Sequence, residues 1–119
     1  MSTAPSPYIF QAAVELPLSL ALNAQGDSTG SMDYKVTVAV ERLGLDEMDV
    51  VMDFRVLETS LSTVLEPMHG HSLQDLGLKD LADAAKSIAE SIAPSIPGPV
   101  RLASVSIENE AGRQMTLQL

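Results

Sequence analysis

The spacing of apolar residues changes twice along this chain, and the change limits the folds that the chain can adopt. Tyr34 to Arg42 mostly alternates between apolar and polar residues. Its apolar face carries Val36, Val38 and Val40, and its polar face carries Lys35, Thr37 and Glu41. Because successive side chains of a strand point to opposite faces, this alternation predicts a half-buried strand. Tyr8 to Leu16 alternates more loosely and predicts an earlier strand, and Asn23 to Asp33, rich in Gly, Ser and Asp, predicts the loop between them.

Two segments in the middle of the chain have helical spacing. The first begins after Asp53, whose carboxylate can accept hydrogen bonds from free backbone donors, and ends at Pro67 and Gly70. Its apolar side is formed by Phe54, Leu57, Leu61 and Val64. The second runs from roughly Asp80 to Ile92 and is stopped by the prolines that follow it. Its apolar side is formed by Leu81, Ala82, Ala85, Ile88, Ala89 and Ile92.

The spacing returns to alternation at the end of the chain. Val100 to Glu108 and Gln114 to Leu119 predict a β-hairpin with its turn at residues 109–112. Gly112 is free to take the positive φ that such a turn uses. The predicted order of elements is therefore β-β-α-α-β-β, in one domain spanning residues 1–119. Residues 1–7, ahead of the first strand, are predicted to be flexible.

Composition disfavours several classes of function. A net charge of −9 with seven Lys plus Arg argues against nucleic acid, because affinity for a phosphate backbone comes from cations that displace counterions. An anionic membrane surface is disfavoured for the same reason. The chain has no Cys, which excludes disulfides, thiolate zinc sites and a thiol nucleophile. The first residues do not resemble a secretion signal and no apolar run approaches the ~20 residues of a membrane span, so the cytoplasm is the predicted location.

Three short segments resemble motifs of the 6-pyruvoyl and 6-carboxy tetrahydropterin synthases, which have the tunnelling fold. Residues 10–14 read Phe-Gln-Ala-Ala-Val where the family reads Phe-x-Ala-Ala-His, and residues 30–34 read Gly-Ser-Met-Asp-Tyr where the family has His-x-His before an aromatic residue. The third segment, residues 52–54, lies at the family's distance from an Asp-His pair, which falls here on His69-Gly70. The match extends over nearly the whole chain. It implies an α+β fold in which two helices cover one face of a four-stranded antiparallel sheet, and copies that join sheet to sheet into a barrel.

The same resemblance implies that the family's metal chemistry is missing. In the family three imidazoles hold zinc, and the matching positions here are Val14, Gly30 and Met32. A thioether suits soft ions rather than zinc, and the chain contains only two histidines. The family's catalytic Cys is absent as well. The sequence is thus identified as a divergent member without the zinc histidines and the catalytic Cys, and we predict no catalytic residue, metal or cofactor.

His69 and His71 are the two imidazoles of the chain, and they leave two interpretations open. In an extended segment both point to one side, where they are candidates for proton transfer or, with Glu66 and Asp75, for a weak metal site. Alternatively, they belong to a polar turn that follows the first helix.

Glu108 and Asn109 are the predicted ligand-binding residues. In the family a Glu at the end of the third strand accepts hydrogen bonds from the amino group and ring N–H of the pterin, and such charge-assisted bonds are strong. The next residue is usually Thr, and here it is Asn109. The family's Thr or Ser residues at the start of the second helix fall here near Asp80 and Leu81. The alternative is that Glu108 is a solvated carboxylate beside Glu110.

Three functions are compatible with these residues. The first is a non-catalytic, zinc-free synthase-like module that binds a pterin or purine-like heterocycle at a subunit interface. The second is an active 6-pyruvoyl or 6-carboxy tetrahydropterin synthase with a relocated site. The third is a pseudo-enzyme subunit that partners an active paralogue. A homo-oligomer, trimer or hexamer, is predicted because a four-stranded sheet has two unpaired edges, and an exposed strand edge is a template for pairing.

Overall fold

The computed structural model describes residues 8–22, 30–44 and 51–119. Within these ranges the strands are β1 (Ile9–Ala21), β2 (Ser31–Leu43), β3 (Arg101–Asn109) and β4 (Gln114–Gln118), and the α-helices are α1 (Phe54–Leu65) and α2 (Leu81–Ile92). A single 3-10 turn follows each helix, at Glu66–Met68 and at Ala93–Ser95. The predicted order β-β-α-α-β-β is confirmed. The predicted flexibility of residues 1–7 lies outside the described residues.

The β1–β2 pair is longer than the sequence pattern indicates. β1 continues to Ala21 instead of ending at Leu16, and β2 begins at Ser31, so the last residues of the predicted loop belong to a strand. β1 accommodates Pro17 because it is an edge strand. Alternate residues of β1 direct their backbone N–H groups away from β2, as Ser19 and Ala21 do. Pro17 belongs to the same alternate set, so its missing N–H removes no bond to β2.

The four strands form one antiparallel sheet in the order β1-β2-β3-β4. The register places Val38 opposite Val14 on β1 and opposite Val105 on β3, and all three side chains are buried. α1 packs against β1, and α2 packs against β3 and β4, so the helices cover this face. The other face carries small and polar side chains, and one row across the four strands consists of Glu15, Thr37, Ser106 and Thr116. The predicted arrangement, with both helices on one face of the sheet, is confirmed.

The first helix begins at the predicted N-cap Asp53, and the second is capped by Asp80, the residue at which it was predicted to begin. The carboxylate of Asp53 accepts a hydrogen bond from the Arg55 N–H, and that of Asp80 accepts one from the Asp83 N–H, each at 2.9 Å. These bonds satisfy donors that the first turn of a helix leaves without intrahelical partners. In the described part of the chain, neither helix is long and apolar enough to cross a membrane.

The buried helix faces differ in part from the predicted ones. On α1 the buried residues are Leu57, Leu61 and Leu65, whereas Phe54 is 49% exposed and Val64 is partly buried. The reason is that the i, i+4 series of leucines faces the sheet, which turns Phe54 outward. On α2 the buried residues are Ala84, Ala85, Ile88, Ala89 and Ile92. The predicted stripe is therefore correct for α2 from Ala85 onward.

The β3–β4 hairpin closes in the predicted turn. Gly112 has a φ of 82°, in the left-handed region that favours glycine. The side-chain oxygen of Asn109 accepts hydrogen bonds from the N–H groups of Ala111, at 3.0 Å, and Arg113, at 2.9 Å. The hairpin places β4 at one edge of the sheet, and β1 lies at the other.

Candidate functional site

Glu108 lines a cavity of about 300 Å³ at the end of the sheet where β2 begins and β3 ends. We call it the Glu108 cavity, and its lining includes Asp33, Tyr34, Lys35, Glu108, Asn109 and Glu110. The register assembles these residues, since Tyr34 lies opposite Asn109 and Lys35 lies opposite Glu108. The two predicted ligand-binding residues, which are adjacent in sequence, both line this cavity, and so do Tyr34 and Lys35, which sequence reasoning missed. The β2–β3 register was the missing information.

Lys35 makes its ion pair away from Glu108. Its Nζ lies 3.6 Å from Oε1 of Glu15 on β1, and both side chains are about half exposed, at 53% and 55%. Glu108 makes no ion pair with any residue of the described ranges. An exposed pair of this kind contributes roughly 0.2–1 kcal/mol, so Glu15 biases the position of the lysine without fixing it. The Glu108 carboxylate thus keeps its capacity to accept hydrogen bonds from a ligand.

Asn109 has a structural task that limits what it can offer a ligand. Its side-chain oxygen already accepts the two turn hydrogen bonds from Ala111 and Arg113. The amide NH₂ group is the part of this side chain that remains for a ligand, and it can only donate. Asn109 therefore complements Glu108, which as a carboxylate can only accept.

A second cavity, of about 390 Å³, adjoins the first on the helix-covered side of the sheet. Its apolar lining includes Leu20, Leu22, Met32, Tyr34, Leu73 and Leu78. Tyr34 lines both cavities. Met32 was assigned by resemblance to a zinc position, but the lining here contains no His, Cys, Asp or Glu side chain, and a thioether does not suit zinc.

The three positions assigned to the zinc site do not come together. Met32 lies opposite Leu20, whereas Val14 lies opposite Val38, six residues earlier on β1. Six residues of a strand span about 20 Å, so the assignment of Val14 to a site with Met32 is wrong. The motif match at residues 10–14 does not account for the continuation of β1 to Ala21. Gly30 has a φ of 117°, which would strain any ligating side chain placed there.

His69 and His71 lie against the outer edge of β1. Nδ1 of His69 accepts a hydrogen bond from the Ser19 N–H at 3.3 Å, and the Gly70 N–H donates to the Ser19 carbonyl at 2.8 Å. The Ala21 N–H donates to the His71 carbonyl at 2.9 Å. An accepting Nδ1 places the proton of a neutral His69 on Nε2. The segment therefore covers part of an exposed sheet edge.

The described residues contain no group of three or more His, Asp or Glu side chains placed to hold a metal ion. Glu66 and Asp75 thus do not complete a metal site with the two histidines in this arrangement. The implied zinc does not fit the residues present. A proton-transfer role for His69 or His71 stays a prediction.

No protein-family model matches the sequence, and no curated protein matches it either. Among solved structures the chain is similar to the 6-pyruvoyl tetrahydropterin synthase of Caenorhabditis elegans, with a TM-score of 0.71 and 15% sequence identity. The superposition covers 98% of this chain and 99% of that chain. At this identity the likeness shows the fold alone. The chain has the four-stranded, two-helix tunnelling fold of that synthase, as the resemblance implied.

Proposed function

We propose that this chain is a tetrahydropterin synthase-like protein without a zinc site that binds a pterin or purine-like heterocycle and does not turn it over. Its binding site is the Glu108 cavity, and its working compartment is the cytoplasm. The observation that carries the proposal is an acceptor carboxylate in a cavity whose lining lysine is paired with Glu15. Two carboxylate oxygens match the adjacent amino and ring N–H donors of such a heterocycle.

A second lining group suits the same class of ligand. The Asn109 NH₂ group can donate to a ring carbonyl, whereas Tyr34, which also lines the cavity, packs against the buried core. A volume of about 300 Å³ lies at the lower end of the range for small-molecule sites. The cavity is therefore large enough for one heterocycle with a short side chain.

Binding without turnover follows from the residues of the chain. Glu108 is the anchor, and no imidazole is part of the cavity lining that the structure describes. The chain has no Cys and two histidines, which is one fewer than the family's zinc site uses. A proton-transfer pair and a Lewis acid are the groups that the family's chemistry requires. The family's Cys and imidazoles are missing from the side chains around Glu108, and so are the ligands for its zinc.

We further propose that the protein is a homo-oligomer, a trimer or a hexamer, with the heterocycle at a subunit interface. Glu108 lies opposite Gln114 on β4, so the anchor is one strand away from a sheet edge. A second copy that paired with β4 would come close to the Glu108 cavity. Its residues would then close the open side of the site.

The test is calorimetric titration of the full chain with neopterin and with guanine. We expect saturable binding that Glu108→Gln weakens by about 1.5–3 kcal/mol, the value of hydrogen bonds to a charged group. Glu90→Gln, which removes an exposed carboxylate on α2, is the matched control and should leave affinity unchanged. Dihydroneopterin triphosphate should be recovered unchanged after incubation.

Two results would contradict this function. Absence of binding to any pterin or purine would leave Glu108 as a surface carboxylate. Formation of a 6-pyruvoyl or 6-carboxy tetrahydropterin would instead establish an active synthase, and substitution of His69 and His71 would then show whether they serve it. Co-purification with a second tunnelling-fold chain would favour the pseudo-enzyme subunit over a homo-oligomer.

A further inference from the structure

The Glu108 cavity has an excess of negative charge. Its ionisable lining residues are Asp33, Lys35, Glu108 and Glu110. Because Lys35 pairs with Glu15 at 3.6 Å, its charge is already balanced by a carboxylate outside the lining. A ligand therefore faces three carboxylates and one ammonium group, and the ion pair with Glu15 reduces the net contribution of that ammonium group.

In the described hairpin turn, the Arg113 side chain does not offset this charge. Arg113 follows Gly112 in the hairpin turn, but its side chain does not line the cavity, and its backbone groups bond to Asn109. The whole chain carries a formal charge of −9, so the long-range field has the same sign as the local one. Both contributions repel an anion that approaches the site.

We infer that the Glu108 cavity discriminates by charge, so that it takes unphosphorylated amino-heterocycles and rejects their phosphorylated forms. This inference rests on the proposed function, in which Glu108 is the anchor. For a triphosphate with about four negative charges, we take a separation of roughly 10 Å from the three carboxylates to calculate the Coulomb repulsion. In water these repulsions weaken binding on the order of tenfold at 0.15 M salt and on the order of a hundredfold at 0.02 M salt, where screening is weaker.

The experiment compares 7,8-dihydroneopterin with its triphosphate, which share the ring system and differ in the charge of the tail. Both are titrated into the full chain by calorimetry at the two salt concentrations, without divalent cations. We expect the triphosphate to bind about tenfold weaker at high salt and about a hundredfold weaker at low salt. Affinity for dihydroneopterin itself should change little with salt, because that ligand is uncharged.

A double variant assigns the effect to named residues. Asp33→Asn with Glu110→Gln keeps the Glu108 anchor and should reduce the low-salt discrimination to about fivefold, since one carboxylate remains. Dihydroneopterin is titrated into the same variant, so that the discrimination is expressed as the ratio of the two affinities. Glu58→Gln with Glu90→Gln makes the same change in net charge at exposed positions on α1 and α2, and should retain the full discrimination.

The outcomes separate this inference from the function on which it rests. Equal affinity for the two ligands would overturn the charge discrimination and leave heterocycle binding standing. Full discrimination in the Asp33/Glu110 double variant would show that these carboxylates are not its source, which also overturns the inference. Absence of binding to both ligands would overturn the proposed function together with the inference.

Discussion

Glu41 and Arg101 face each other across β2 and β3, close to the point where the register of the two strands shifts. The Arg101 guanidinium donates to the Glu41 carboxylate through Nε, at 2.9 Å, and through Nη2. The Glu41 side chain is 12% exposed, whereas that of Arg101 is 68% exposed. The hydrogen bond from Arg101 lowers the pKa of Glu41 below its ordinary value of 4.5, partial burial opposes this effect, and a bond from Gln11 adds to it.

This lowered pKa predicts a pH dependence of stability. A carboxyl group whose pKa is lower in the folded state stabilises the fold above its unfolded pKa, and this contribution is lost as pH falls through the folded value. We therefore expect the free energy of unfolding to decline below about pH 4.5. Glu41→Gln should remove part of that decline, because its amide does not titrate. Urea unfolding from pH 3 to pH 7 measures the effect.

Glu90→Gln is the control for that titration, since Glu90 is exposed on α2. Its pH profile should follow that of the unsubstituted chain. Parallel acid profiles for the unsubstituted chain and Glu41→Gln would mean that the Arg101 contact contributes nothing that depends on protonation.

The roles of single residues were predictable where they depend only on residues close in sequence. Asp53 and Asp80 cap the helices that follow them, and Gly112 takes positive φ in the hairpin turn, because each effect depends on neighbours within a few positions. The pairing of Lys35 with Glu15 was not predictable. It joins two strands, and neither composition nor periodicity contains the register that sets which side chains meet.

At the scale of elements, the β3–β4 hairpin depends on backbone geometry at one glycine. Gly112 has a φ of 82°, and an added Cβ would meet no heavy atom within 4 Å. Gly112→Ala should therefore destabilise through backbone conformation alone, by roughly 1–2 kcal/mol. Gly98, which precedes β3, also has open space around it but no positive φ. Gly98→Ala should be neutral or stabilising by up to about 1 kcal/mol, because alanine restricts the unfolded chain.

Thermal or urea unfolding of the two variants checks this contrast. Equal stabilities would show that the turn at Gly112 relaxes to another conformation without cost. Loss of the oligomer in Gly112→Ala alone would instead indicate that the hairpin geometry positions β4 for contact with another copy.

The order of the elements was predictable, whereas their lengths and contacts were less so. In β2 and α2 one face is buried, and burial of one face sets the spacing of the apolar residues. That spacing can be read from the sequence, so both elements were predictable. The continuation of β1 beyond Pro17 depends on the position of that strand at the sheet edge. The error at Val14 has the same origin, since a motif match without the β1–β2 register misplaced the residue by about 20 Å.

At the scale of the whole molecule, the two sheet edges are protected unequally. On β1 the 69–71 segment covers Ser19 and Ala21, and Pro17 removes a donor, but residues 9–15 pair with no other strand of the described chain on their outer side. β4 contains no charged residue and no proline between Gln114 and Gln118. Edges with little charge and no proline are templates for pairing, so β4 and the first half of β1, whose one charged residue is Glu15, are suited to join neighbouring copies.

The proposed assembly predicts that a proline on the outer side of β1 breaks it. Ala13 belongs to the same alternate set of β1 residues as Ser19 and Ala21, whose N–H groups point away from β2. Ala13→Pro therefore removes an outward donor and leaves the bonds to β2 in place. Light scattering should give three or six times the 12.6 kDa chain mass for the unsubstituted protein and a lower mass for this variant. Circular dichroism should show that the variant stays folded.

Ala39→Pro, on the central strand β2, is the contrasting variant and should unfold the chain. A folded Ala13→Pro variant that keeps the full mass would mean that assembly does not use the β1 edge, and an unsubstituted protein of 12.6 kDa at micromolar concentration would refute the oligomer itself.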